Sequence, residues 1–81
     1  MNKSLYTQIT ALPENSWPRQ YAENAVAAGM TPIPMRTIPD PDFRLFAYHQ
    51  QRTEVHEGMV CLPLDEFVRI AKGNASKIEA R

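Results

Sequence analysis

Thr31-Pro32-Ile33-Pro34-Met35-Arg36-Thr37-Ile38-Pro39-Asp40-Pro41-Asp42 divides this chain into a helix-like N-terminal part and a hairpin-like remainder. Proline fixes φ at about −65° and pushes the residue before it toward extended geometry. The stretch 31–42 therefore reads as an extended hinge that ends in a turn at Pro39 to Asp42. Its Ile33 to Ile38 part can at most be an edge strand, where a missing amide is tolerated. Its expected role is that of a rigid connector. Pro39 and Pro41 also make it a candidate arm for an aromatic groove on a partner.

On the N-terminal side, Trp17, Tyr21, Ala25 and Ala28 recur at helical spacing, with Ala22 and Val26 widening the stripe. Asn15 or Ser16 can cap this helix, Pro18 fits its first turn and Gly29 can close it. Further upstream, Leu5, Thr7 and Ile9 alternate with Tyr6, Gln8 and Thr10, a period-two pattern that predicts a short strand ended by Pro13.

Downstream of the hinge, Phe43, Leu45 and Ala47 alternate with Arg44, Phe46 and Tyr48, which predicts a strand with large apolar groups on both faces. Gln50 to Glu54 supplies a polar reversal, and Val55 to Leu62 returns as a second strand with Gly58 as a bulge or a close backbone approach. A turn on Arg52-Thr53 would set His49 opposite His56, Tyr48 opposite Glu57 and Arg44 opposite Cys61. After Pro63, Asp65 is placed to cap a helix buried through Leu64, Phe67, Val68 and Ala71 and ended by Gly73-Asn74. The tail 74–81 is expected either to add a turn of helix or to fray. The sum is one small α+β domain over 1–81, an antiparallel sheet of three to four strands with two helices packed on it. Trp17, Tyr21, Ala25, Leu45, Val60, Leu62, Phe67, Val68 and Ala71 are its expected core.

With 81 residues there is room for one modest core, and an apolar share of 43% against a charged share of 22% is that of a folding chain. The single cysteine, Cys61, has no partner for an internal disulfide, and residues 1–8 carry no apolar signal core. No stretch reaches the roughly 20 apolar residues of a membrane helix. These features predict a cytoplasmic protein without membrane association. Nine basic residues balance nine acidic ones. The basic surplus usual for nucleic-acid binding is missing, and the low net charge leaves a homodimer open.

No catalytic signature stands out. His49 and His56 with Glu54 or Glu57 could hold a cation, but the paired ligand spacings of metal sites are absent, so neither a metal nor another cofactor is expected. Cys61 sits in the apolar run Met59-Val60-Cys61-Leu62, where a thiol behaves as a small buried hydrophobe. Three glycines in all leave little scope for a phosphate-binding loop. The element order after Trp17 resembles that of the double-stranded RNA-binding domain, yet Leu64-Asp65-Glu66-Phe67 is acidic where that family is basic. Val68 to Ile78 loosely resembles a helix-turn-helix, but Gly73 follows Ala71 too early for its turn.

The expected function is that of a small noncatalytic interaction protein, not an enzyme, which regulates or inhibits a larger protein partner by occluding its surface. Small accessory proteins of bacteria and phages have this character. The expected contact residues are Arg44, Phe46 and Tyr48 on one strand face, with Pro39 and Pro41 of the hinge. A nucleic-acid-associated regulator using Arg44, Arg69, Lys72 and Lys77 is the alternative, and a small metal- or thiol-dependent enzyme the second alternative.

Overall fold

In the computed structural model the described residues, 3–50 and 53–74, form an α+β fold of four α-helices and one three-stranded antiparallel sheet. In chain order these are α1 (Lys3–Thr10), α2 (Trp17–Ala27), β1 (Pro32–Pro34), α3 (Pro41–His49), β2 (Glu54–His56), β3 (Met59–Pro63) and α4 (Leu64–Gly73), with one 3₁₀ turn at Met35–Thr37. The sheet order is β1-β3-β2. Ile33 lies opposite Leu62 and Val55 opposite Val60.

Two expected strands are helices. Residues 5–10 belong to α1, which buries Ile9 together with Leu12 just beyond its end. Residues 43–48 belong to α3, which buries Phe43 and Ala47. Positions four apart share a face both in a strand and in a helix, so partly buried Leu5 with buried Ile9, and Phe43 with Ala47, fit either period. The residue between them decides the matter, and Thr7 and Leu45 are both exposed. The local signal for α3 lies inside the hinge. Asp40 Oδ1 accepts from the amides of Asp42 at 2.9 Å and Phe43 at 3.4 Å, and Pro41 occupies the first helical turn.

The helix from Trp17 forms as its spacing predicts. Buried Ser16 caps it, accepting from the Arg19 amide at 3.4 Å and donating to the Pro13 carbonyl at 2.6 Å. Gly29, at φ 74°, closes it: Met30 N donates to Ala25 O at 2.8 Å and Gly29 N to Val26 O at 3.1 Å, the paired bonds of a Schellman end. Arg19 does not simply face solvent. Its Nη1 donates to the carbonyls of Thr10 at 3.1 Å and Leu12 at 3.2 Å, tying the end of α1 to the start of α2.

The hinge is more than a connector. Ile33, Met35 and Ile38 are buried, and Leu64 N donates to Thr31 O at 2.8 Å, joining the start of α4 to the approach to β1. Thr37 Oγ1 donates to Pro34 O at 2.7 Å and bonds the Tyr21 hydroxyl. β1 is an edge strand, where two prolines do no harm to the ladder.

The hairpin turns on Glu57-Gly58 rather than at Arg52-Thr53, and Arg52 lies outside the described residues. Both turn residues have positive φ, 52° and 81°, as a two-residue type I′ hairpin requires. Gly58 is thus a turn residue and no bulge. His56 pairs with Met59 and Glu54 with Cys61, so none of the three cross-strand pairs expected for His49, Tyr48 and Arg44 exists. The cap of α4 also differs: Pro63 holds the N-cap position without a side-chain bond, and Asp65 sits in the first turn beside Glu66.

The core lies where α4 packs against α1, α2 and β3. Ala25, Leu62, Phe67, Val68 and Ala71 are buried as expected, with Trp17 and Tyr21 partly buried against them. Leu45 and Val60 are not core residues, because α3 turns Leu45 outward and the hairpin carries Val60 beyond the helices' cover. No helix among the described residues is long and apolar enough to cross a membrane.

Candidate docking site around the third helix

α3 is anchored by buried Phe43 and Ala47. Phe43 meets Trp17 of α2 and Phe67 of α4, each at a ring-centroid distance of 5.2 Å. Trp17 also meets Phe67 edge-on at 5.9 Å, so three rings from three helices close on one another. With Phe43 and Ala47 turned inward, the outer face of α3 presents Pro41, Arg44, Leu45 and Tyr48, the i, i+3, i+4, i+7 stripe of a helix.

Pro41, Arg44, Leu45 and Tyr48 line an open cleft of about 270 Å³, together with Arg36 from the 3₁₀ turn. Leu45 is 56% exposed and Tyr48 45%. Pro41 also lines a second shallow cleft, of about 260 Å³, with Trp17, Pro39 and Asp40. The two clefts therefore adjoin across Pro41. Trp17 Nε1 and Arg44 Nε are buried donors with no hydrogen-bond acceptor among the described residues. Arg36 and Arg44 form no ion pair among the described residues, whereas Arg19 pairs with Glu23 and Arg69 with Glu66.

Of the five expected contact residues, Arg44, Tyr48, Pro39 and Pro41 fall on this surface. Phe46 does not. In a strand it would share a face with Arg44 and Tyr48, but at 100° per residue it stands about 160° around the helix from Arg44. It is 39% exposed on the other flank of α3. Reading residues 41–48 at helical spacing would have added Leu45 to the set. Arg36 and Trp17 come from other segments, and only the fold brings them in.

The basic residues of the alternative reading are dispersed. Arg44 lies in the α3 cleft, while Arg69 and Lys72 are exposed on α4 and do not line it. Arg69 Nη2 donates to Glu66 Oε2 at 2.7 Å and its Nε at 3.0 Å, and this bond holds the Arg69 guanidinium above its ordinary pKa. Lys77 lies outside the described residues.

His49 stands in the last turn of α3 and His56 on β2, one on each side of a chain segment that includes two undescribed residues. Among the described residues no group of three or more His, Cys, Asp or Glu side chains gathers as a metal ligand set. Cys61 is buried, its Sγ 3.6 Å from the Met59 carbonyl. No family model matches the chain, and no curated protein or solved structure matches it either.

Proposed function

We propose that this chain is a small noncatalytic interaction protein that docks on a larger protein through the outer face of α3 and regulates that partner by covering its surface. One observation carries the reading: Arg36 and Arg44, neither in an ion pair among the described residues, flank exposed Leu45, Tyr48 and Pro41 in one cleft. Arginine and tyrosine beside an apolar centre are the residue types enriched where proteins bind one another. The surface offers guanidinium donors in excess of acceptors, so its complement is an acidic segment that also carries an apolar side chain. The test is affinity capture from nuclease-treated lysate with wild type and the R36E/R44E variant. One protein retained by wild type and lost by the variant supports the reading.

The nucleic-acid alternative draws on Arg44, Arg69 and Lys72, with Lys77 outside the described residues. It has less support, because Arg69 is engaged by Glu66 and positive and negative charges balance over the chain. A captured complex that nuclease destroys would favour it over the protein-binding reading.

A further inference from the structure

The two edges of the sheet differ. β1 carries Pro32 and Pro34, which have no amide to offer and blunt that edge. β2 carries Glu54, Val55 and His56, all exposed, with no proline and no lysine or arginine to guard it. Val55 is 74% exposed. In a two-residue hairpin the closing pair, here His56 and Met59, bonds inward, so by antiparallel alternation Val55 turns its N–H and C=O toward the open edge. Val55 and its register partner Val60 also share a sheet face with the buried pair Ile33 and Leu62. That apolar face thus runs out of the core and ends, uncovered, at β2.

We propose that β2 is a self-association edge: two copies pair antiparallel about Val55 to make one continuous six-stranded sheet. The occupant is a second copy because the strand complements itself. Centred on Val55, the antiparallel register sets Glu54 of each copy opposite His56 of the other, an acid facing a base or hydrogen-bond donor twice across the two-fold axis. The two Val55 residues exchange a reciprocal pair of backbone bonds. Their side chains extend the apolar face from one copy to the other.

Sedimentation velocity at loading concentrations up to about 1 mM tests this, with circular dichroism as the check on folding. Wild type shows a concentration-dependent monomer–dimer equilibrium. Val55→Pro removes only an outward amide, so it keeps the hairpin and weakens dimerisation at least about tenfold. Glu54→Lys alone weakens the dimer, and adding His56→Glu restores it, because the exchanged charges are again opposite. A wild type that stays monomeric throughout, a folded Val55→Pro that dimerises as wild type does, or a double exchange that fails to restore association overturns the proposal. Wild type that gains mass only with another protein bound at β2 does so too.

Discussion

Phe43 of α3 packs edge-on against Trp17 of α2, ring centroids 5.2 Å apart at an interplanar angle of 77°. This contact fixes the roll of α3 about its axis. It therefore decides that Arg44, Leu45 and Tyr48 face outward. Phe43 is 5% exposed, and replacing it with alanine removes most of a buried ring and leaves a cavity between three helices. Phe43→Ala is expected to destabilise the fold by about 3 to 5 kcal/mol, measured by urea denaturation. For a domain of this size that is much of its stability.

Arg19→Met keeps the apolar stem but removes the donors to the Thr10 and Leu12 carbonyls. Those carbonyls end α1 and its following turn. A loss of about 1 to 2 kcal/mol is expected, read in the same denaturation experiment, with earlier hydrogen exchange in α1 than in α4.

The β2–β3 turn holds Glu57 at φ 52°, a region that costs a non-glycine L-residue roughly 1 kcal/mol. Glu57→Asn tolerates that conformation better and makes the turn Asn-Gly, so the melting temperature is expected to rise. Gly58→Ala has the opposite sign. No neighbour lies within 4 Å of a Cβ added at Gly58, so its expected cost of about 1 kcal/mol is backbone strain alone.

Gly29→Ala tests the end of α2 in the same manner. A Cβ there meets nothing within 4 Å, but φ is 74°. A loss of about 1 kcal/mol on thermal unfolding is expected.

The sequence discloses the elements whose signals are local and unshared. Ser16, Pro18 and Gly29 bracket α2, and the spacing of Leu64, Phe67, Val68 and Ala71 marks α4. It is ambiguous where core-facing residues, buried or partly buried, stand four apart with a plausible strand former between them, as in Leu5-Thr7-Ile9 and Phe43-Leu45-Ala47. There the cap is the better guide, and Asp40-Pro41 announces α3 from within a stretch that looks like a plain proline hinge. The candidate site was legible in part for the same reason. Arg44 and Tyr48 share a face in a strand and in a helix alike, whereas Phe46 shares it only in a strand. Arg36 is brought to the cleft by a 3₁₀ turn that two prolines gave no reason to expect.

The central claim is that the outer face of α3, and not its Phe46 flank, contacts the partner. The measurement that tests it most directly is quantitative affinity capture with tagged wild type, Leu45→Ala/Tyr48→Ala and Phe46→Ala, each first shown to unfold cooperatively. The account predicts one protein captured by wild type and by Phe46→Ala, with capture reduced at least about tenfold by the double variant. Equal capture by all three proteins, or loss with Phe46→Ala alone, would contradict it.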